Sequence, residues 1–440
     1  MKTMHCHRSS PIPVLAAALA LLAHPAWSSG PEEPSALPWT GTSLTAYLQR
    51  AQEANPDLQA FRERYEAALE RVPQANSLPD PMLQVTQFVE SVQTRTGPQE
   101  QVFMFSQRIP WFGKLGEREN ASSAEAEALW FASQSRELML TREVSQAYFE
   151  YAFTEKAIRL TRENLDLLAE LEPVVEERVR GGGDLNPLLR LKVEMGKVED
   201  KVRSLEEKRV AQSARLSALL ALPGDSLLPW PEWAEPVSEP VASGSDLSLA
   251  LEENNPELAM MRRRIDSAVA RAELARLDGY PDLTLGVNYI HLGDPLNPTV
   301  PDAGKDPWGV TLSVNLPLWR GRVNAAKNEA AASQRAAEAS LADRQNQLKA
   351  DLSATLSQLQ DAQRRLELYG TDLLQLARQA VEISRTSYEG GRTGILEVID
   401  SERSLLELET QYWRAAADTW QARVHLQTLV NKPLNHAYSE

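Results

Sequence analysis

The stretch IPWFGK at residues 109–114 reappears in altered form as LPLWRGR at residues 316–322. Each stretch follows a short apolar run and precedes a long segment of polar residues and alanine with at most one proline. Proline ends a β-strand because it has no N–H to offer the ladder, and glycine permits a sharp bend. Both stretches therefore predict a junction between a strand and a long helix. The predicted junction residues are Pro110, Trp111, Phe112, Gly113, Lys114, Pro317, Trp319 and Arg320.

The two junctions are part of a duplication that runs through the chain. Four pairs of matching segments keep the same order, and their offsets drift slowly, whereas chance matches would scatter. The pairs are marked by Pro56 and Pro256, Asp80 and Asp282, Pro110 and Pro317, and Gly181 and Gly390, at offsets of 200, 202, 207 and 209 residues. The sequence therefore predicts two copies of one plan. The expected segments are a signal peptide at 1–28, a first repeat at 43–222, a proline-rich equatorial insert at 223–245 and a second repeat at 246–433.

Each copy contains two segments with the pattern of β-strands. At 283–291 and 308–316, apolar residues alternate with small or polar ones more regularly than elsewhere, which gives each strand one apolar face. The corresponding segments at 83–91 and 101–109 are apolar but alternate less regularly. Strands of this length fit a tilted crossing of a bilayer, although a half-buried sheet in a water-soluble protein gives a similar pattern.

Four strands are too few to close a barrel by themselves. A sheet edge exposed to lipid leaves backbone groups without hydrogen bonds, so strands that cross a membrane must be shared among several chains. Three chains would supply twelve strands, an even number within the range of barrels that enclose water. The strand count therefore predicts a trimer if the strands lie in a membrane.

Long helices make up most of the rest of each copy. Segments 116–180 and 322–389 are expected to be helical, and at about 1.5 Å per residue each would be roughly 100 Å long. Return helices are expected at 184–222 and 395–430, the latter with an apolar stripe every seven residues, as in a coiled coil. Glycine suits the turns between them because it adopts the left-handed backbone of helix ends. The turn glycines are Gly181, Gly182, Gly183, Gly390, Gly391 and Gly394.

Composition excludes several classes of function. The 440 residues contain 46 basic and 61 acidic side chains, and this acidic balance argues against a protein that binds nucleic acid. The sequence has no glycine-rich phosphate loop, no nucleophile elbow and no His/Cys spacing typical of a metal site. The sequence therefore predicts neither an enzyme nor a cofactor nor a bound metal.

The N-terminus has the form of a secretory signal. Lys2 and Arg8 precede a short apolar stretch at 13–23, and small residues follow near an expected cut at Ser28. The only cysteine, Cys6, would be removed with this segment. The mature protein is therefore expected to be exported and to lack a cysteine for a lipid anchor.

Four motifs in one order resemble the TolC-like outer-membrane efflux proteins. They are LPDP at 78–81, SQRIPWFGK at 106–114, YPDLTLG at 280–286 and YEGGRTGILEVIDSE at 388–402. The resemblance covers about residues 40–435, and the form at 106–114 is most similar to the heavy-metal efflux branch. It implies a mainly α protein with a small β part: a homotrimer with a 12-stranded barrel in outer-membrane lipid and an α-helical coiled-coil tunnel through the periplasm.

The same resemblance implies a passive exit duct. Its partners would be a periplasmic adaptor and an inner-membrane pump of the resistance-nodulation-division type, and its cargo metal cations or small toxic compounds. Glu397 and Asp400 fall on the family's acidic gate positions, where three copies would form carboxylate rings. Tyr388 and Arg392 are the other gate candidates, and the turn glycines would form the tip that docks the adaptor. An ordinary solvated helix face explains the two acids about equally well.

Two alternatives remain open from the sequence. One is an exit duct for type I protein secretion, which shares the same architecture. The other is a water-soluble periplasmic coiled-coil scaffold, which gives no reason for the alternating strands at 283–291 and 308–316. Asp184, next to the first glycine turn, is expected only to cap the returning helix.

Overall fold

The computed structural model describes residues 39–224, 227–233 and 243–432. The expected signal peptide at 1–28, with its cut and Cys6, lies outside the described residues, as do residues 225–226 and 234–242 of the expected insert. From Thr40 onward the described residues belong to one unit.

The described chain is mainly helical with one small sheet, as the sequence predicted. Its helices are α1 Leu44–Ala54, α2 Pro56–Leu69, α3 Arg71–Asn76, α4 Lys114–Arg180, α5 Asn186–Leu219, α6 Gly244–Asn254, α7 Pro256–Leu277, α8 Arg320–Glu367, α9 Leu374–Glu389 and α10 Ile395–Val430, with a π-helical turn at Leu368–Leu373. Its strands are β1 Met82–Gln87, β2 Gln93–Thr94, β3 Gly97–Ile109, β4 Leu283–Leu292 and β5 Trp308–Val314.

The long helices differ between the two copies. Helix α4 has 67 residues, so it is about 100 Å long. The segment expected to be one helix at 322–389 is helical throughout, but the π-helical turn at Leu368–Leu373 interrupts its α-helical hydrogen bonds between α8 and α9. At this turn the backbone lies against an aromatic ring, since a Cβ added to Gly370 would be 3.0 Å from Cε2 of Tyr412. An extra residue in the turn rotates the side chains that follow it.

Each copy begins with a helix that breaks at an Asn-Pro pair. The Asn55 side chain caps α2 through the N–H groups of Asp57 and Leu58, and its amide donates to the carbonyl of Leu219 at the end of α5, 3.0 Å away. Proline disfavours helix in the residue before it, so the break is local. The Asn55 side chain therefore hydrogen-bonds backbone groups at two helix ends that have no partner within their own helix.

The second copy repeats this arrangement at Asn255. Its side chain caps α7, and its amide donates to the carbonyl of Leu429 near the end of α10, 2.9 Å away. In both copies the return helix therefore ends against the break in the first helix. The matching contacts show that the sequence duplication is also a structural one.

The sheet is antiparallel in the order β1-β3-β4-β5, with the short β2 paired to β3. Expected strand ends differ from the observed ones by more than one residue at three places. The first strand stops at Gln87 and not at 91, because the chain turns away to form β2. This pairing also extends β3 back to Gly97. The last strand stops at Val314 and not at 316, because Asn315 instead bonds the backbone of Asp282.

One face of the sheet is apolar and exposed. Register places Leu83 opposite Phe105, Phe105 opposite Val287, and Val287 opposite Val310, so these side chains share a face. The exposed apolar residues of this face are Leu83, Val85, Phe105, Leu285, Val287, Tyr289, Trp308, Val310, Leu312 and Val314. Nothing in the described part of the chain covers this face or pairs with the outer edges of β1 and β5.

The core lies between the helices. One apolar cluster joins α6 and α7 to α8 and α10, and another joins α4 and α5 to α9 and α10 near the glycine turns. Residues 227–233 lie against the middle of α4, where the Tyr151 hydroxyl donates to the carbonyl of Leu228. Among the described helices, none is both long and apolar enough to cross a membrane.

Candidate functional site

The first junction is held by one buried carboxylate. Asp282, directly before β4, accepts hydrogen bonds from the Lys114 ammonium at 2.8 Å and from the Trp111 N–H at 3.0 Å. It also accepts from the Arg108 guanidinium, whose Nε lies 3.1 Å away. Lys114 and Asp282 are only 3% and 5% exposed. Asp282 therefore joins the end of β3, the start of β4 and the first residue of α4.

The environment of Asp282 keeps it ionised. Burial alone would raise the pKa of this carboxyl, but the hydrogen bonds from Lys114, Arg108 and the Trp111 N–H outweigh burial and lower the pKa to about 2. Lys114 also donates to the carbonyl of Tyr280, whose ring stacks on Trp111 at 5.6 Å. Gly113 precedes α4 with a φ of 86°, a left-handed backbone that glycine adopts without strain.

The second junction has the same sequence pattern but no such contacts. Leu318 and Trp319 are exposed, the latter by 78%, and Arg320 and Arg322 are exposed as well. Within the described residues, neither arginine forms a salt bridge. Pro317 is only partly covered. We call the first junction filled, because buried contacts hold it, and the second junction open, because its side chains are mostly exposed.

The two glycine turns at the other end of the long helices are alike. Gly182 and Gly391 have left-handed φ values of 95° and 67°. In the first turn the Gly183 N–H donates to the carbonyl of Arg178, and in the second the Arg392 N–H donates to the carbonyl of Ser387. Both turns satisfy carbonyls at the end of a helix in the manner of a Schellman motif. Gly181, Gly390 and Gly394 complete these turns, which we call the tip.

Asp184 lies beside the first turn, and its carboxylate accepts a hydrogen bond from the Asn186 N–H at 3.0 Å. This contact pairs the first N–H of α5, although Leu185 and not Asp184 occupies the N-cap position. The bond uses an otherwise unsatisfied donor, so the local role of Asp184 is structural.

Tyr388 lies inside the chain and not on its surface. Its side chain is 4% exposed and belongs to the apolar cluster at the tip. Arg178 of α4 donates to the Tyr388 carbonyl at 2.8 Å and places its guanidinium 4.0 Å from the centre of the Tyr388 ring. Tyr388 therefore connects the hairpin of α4 and α5 with that of α9 and α10.

Glu397 and Asp400 are three residues apart on α10, and both are exposed. They share a helix face, as residues at this spacing do. Asp400 lies 3.4 Å from Arg403, whereas Glu397 makes no salt bridge with any described residue. Arg392 is exposed and lies in the turn, also without a salt bridge to the described part of the chain. The two acids are therefore unequal, with Glu397 the freer charge.

Sequence reasoning missed the ion pairs that tie the tip together. Arg403 of α10 donates to Glu194 of α5 through Nε and Nη2, at 3.1 and 2.8 Å, and these bonds lower the pKa of Glu194 below its ordinary value. Arg385 of α9 bonds Glu402 of α10 at 2.8 Å, where Glu402 is buried. The first pair spans 209 residues, so no local pattern could reveal it. The described residues contain no His/Cys/Asp/Glu cluster suited to hold a metal ion.

Comparisons with known proteins agree with this architecture. Residues 247–432 match the family model described as outer membrane efflux protein. The cobalt-zinc-cadmium resistance protein CzcC of Cupriavidus metallidurans is 23% identical over 397 residues, covering 89% of this chain and 90% of that protein. The pyoverdine export outer membrane protein OpmQ of Pseudomonas putida is 26% identical over 336 residues, covering 73% of this chain and 68% of that one.

A solved structure extends the likeness to the fold. The outer-membrane channel OprN superposes with a TM-score of 0.76 at 18% identity, covering 88% of this chain and 89% of that one. The family match covers the second repeat, while the shared fold covers most of both repeats. The chain is therefore similar to outer membrane efflux proteins in sequence and has the fold of a solved outer-membrane channel.

Proposed function

We propose that this outer-membrane channel works as a homotrimeric exit duct that passes metal cations out of the cell. A periplasmic adaptor docks on its tip, and an inner-membrane pump of the resistance-nodulation-division type delivers the cation. The observation that carries this proposal is the combination of an exposed apolar sheet face with a helix of about 100 Å, joined through Asp282. One end suits lipid and the other reaches across an aqueous space.

Three copies explain the incomplete sheet. Four long strands with unpaired outer edges cannot lie in lipid, because each unsatisfied backbone group there costs several kcal/mol. Twelve strands close a barrel wide enough for water. The remaining polar face of the sheet, with Thr284, Gly286 and Asn288, would then line the water-filled interior.

Cations as cargo are supported by the charge at the tip. Three copies of the exposed Glu397 and Asp400 would place six carboxylates around one axis, which attract cations and repel anions. The name of CzcC records cobalt, zinc and cadmium resistance for that relative. Because the described residues offer no metal-binding cluster, we propose passage and not storage.

A second cargo is favoured by a different relative. OpmQ is named for pyoverdine export, so a small organic molecule is the alternative to a metal cation. The acids of the tip distinguish the two cargoes, because removing their negative charge should slow the passage of cations more than that of neutral or anionic compounds.

A tolerance assay separates these cargoes. A strain that lacks this protein is complemented with the wild type or with Glu397→Gln, and growth is measured in zinc, cobalt and cadmium and in a panel of toxic organic compounds. Metal efflux predicts that the wild type restores metal tolerance and that Glu397→Gln restores less of it. Restoration of organic tolerance alone would overturn the proposed cargo, and no restoration of either would count against the duct. Glu207→Gln, which removes an exposed charge on α5, is the matched control.

A further inference from the structure

The open second junction leaves charged and apolar side chains exposed. We propose that Arg322 of one protomer forms an ion pair with Asp80 of the next protomer, and that β5 pairs antiparallel with the neighbour's β1 so that Val314 lies opposite Leu83. This inference rests on the proposed trimer and specifies its subunit contact.

The template is the contact between β3 and β4 within one chain. There Ile109 lies opposite Leu283, Asp282 precedes β4, and Lys114 reaches back to Asp282 at 2.8 Å. The end of one strand and the start of the next thus meet at a carboxylate. By the repeat, β5 of the second copy corresponds to β3, and β1 of the first copy corresponds to β4.

The repeat assigns each partner. Asp80 stands at the position of Asp282, each within a Pro-Asp pair just before a strand. Arg322 stands at the position of Lys114, because each follows the junction glycine and its offset of 208 falls between 207 at the junction proline and 209 at the tip. Asp80 and Arg322 therefore carry the same charges as Asp282 and Lys114. In a closed barrel, β5 and β1 belong to different protomers, since they are the two outer strands of the sheet.

Side-chain direction gives an independent check on this register. Transferring the β3–β4 register through the repeat offsets places Val314 opposite Leu83 and Leu312 opposite Val85. All four residues are exposed and lie on the apolar face. A register that differs by one residue would set apolar side chains against polar ones. The charge match and the face match, both obtained from the repeat offsets, therefore agree.

The open junction also lacks the cover that the filled one has. In the filled junction, Trp111 stacks on Tyr280 at 5.6 Å. The residues at the matching positions, Leu78 and the pair Leu318 and Trp319, are all at least half exposed. Asp80 is exposed and forms no salt bridge with the described residues. A neighbouring protomer would cover these apolar side chains and neutralise the aspartate in a single contact.

Cysteine cross-linking tests the register directly. Leu83→Cys and Val314→Cys are combined in a chain whose only natural cysteine, Cys6, is replaced by serine, and outer membranes are oxidised and run on a non-reducing denaturing gel. Directly opposed residues bring their Cβ atoms within disulfide reach, so covalent dimers and trimers are expected. Leu83→Cys with Ser313→Cys, which faces the other side of the sheet, should give about tenfold less product because its Cβ vectors diverge.

Charge reversal tests the ion pair. Asp80→Arg or Arg322→Asp alone should reduce the fraction of trimer that survives detergent and heating, and the combined variant should recover most of it. Arg320→Asp, combined with Asp80→Arg, is the control and should not recover it. Recovery by Arg320→Asp instead would overturn the assignment of Arg322.

The outcomes separate this inference from the proposed function. A trimer that restores metal tolerance, yet cross-links equally well through Ser313, would overturn the register while leaving the duct intact. A wild-type protein found outside the outer membrane as a monomer would overturn both. Efficient cross-linking in a strain without metal tolerance would support the subunit contact and count against the cargo.

Discussion

The two ends of the long helices are held in different ways. At the strand end, the ion pair of Lys114 and Asp282 is almost fully buried and is reinforced by a backbone N–H. At the tip, Arg178 and Arg403 are exposed, and each ties one helical hairpin to the other. Exposed ion pairs contribute little free energy and buried ones are costly to break. The strand end is therefore a fixed anchor, while the polar ties between the two hairpins at the tip, made by exposed arginines, separate at lower cost.

The largest loss of stability is expected from Asp282→Asn. It leaves the buried Lys114 ammonium with only the exposed Asp278 carboxylate, 3.5 Å away, as counter-charge, and losing one partner of a buried pair typically costs about 3–5 kcal/mol. We expect a large fall in the unfolding temperature of the detergent-purified protein, measured by circular dichroism. Asp278→Asn is the control, because that carboxylate is exposed and lies 3.5 Å from the same ammonium. Equal melting of the two variants would contradict the anchor.

Acid should weaken the anchor within a defined range of pH. The pKa of Asp282 is lowered from 3.8 to about 2 in the folded protein, so its stabilising effect is complete above pH 4 and is lost as the pH falls toward 2. A shift of this size corresponds to roughly 2 kcal/mol. The difference in unfolding free energy between wild type and Asp282→Asn should therefore stay constant from pH 7 to 4 and shrink below it. A difference that already shrinks near pH 6 would assign the effect to another group.

At the tip, removing the ties should change opening more than stability. Arg178→Ala loses the hydrogen bond to the Tyr388 carbonyl and the contact with its ring, and Arg403→Ala loses the bond to Glu194. Each loss should lower the unfolding free energy by only about 1 kcal/mol, because the arginines are exposed. We expect higher single-channel conductance in planar bilayers. Arg203→Ala, which breaks an exposed pair with Glu199 within α5, serves as the control.

The smallest effect is expected from the acids of the tip. Glu397→Gln should lower the preference for cations over anions more than Asp400→Asn, since Arg403 already lies beside Asp400. Reversal potentials in a salt gradient measure this preference. Glu207→Gln, on the body of α5, should leave it unchanged. An equal effect from all three variants would show that overall charge matters and the position of the acids does not.

Much of the fold could be predicted from the sequence because its signals are local. Proline and glycine mark the junctions and turns, and the helix expected at 395–430 is observed at those residues. Nothing in the local sequence marked the π-helical turn at Leu368–Leu373, where Gly370 lies against Tyr412 of α10.

The site was less accessible to sequence reasoning. The repeat marked Asp282, but its bond to Lys114 joins residues 168 positions apart, and burial decides its strength. The gate candidates Tyr388 and Glu397 fell near one another on the chain, yet one lies in the interior and the other on the surface. Exposure, which separates a structural residue from a gate residue, depends on packing between distant helices.

Conductance of the purified protein in a planar bilayer tests the duct and its low-cost tip together. Wild-type protein should give small, infrequent currents, and the double variant Arg178→Ala with Arg403→Ala should give currents several-fold larger at the same protein concentration. Absence of current from both proteins, when both are trimers in detergent, would contradict a duct that opens at its tip.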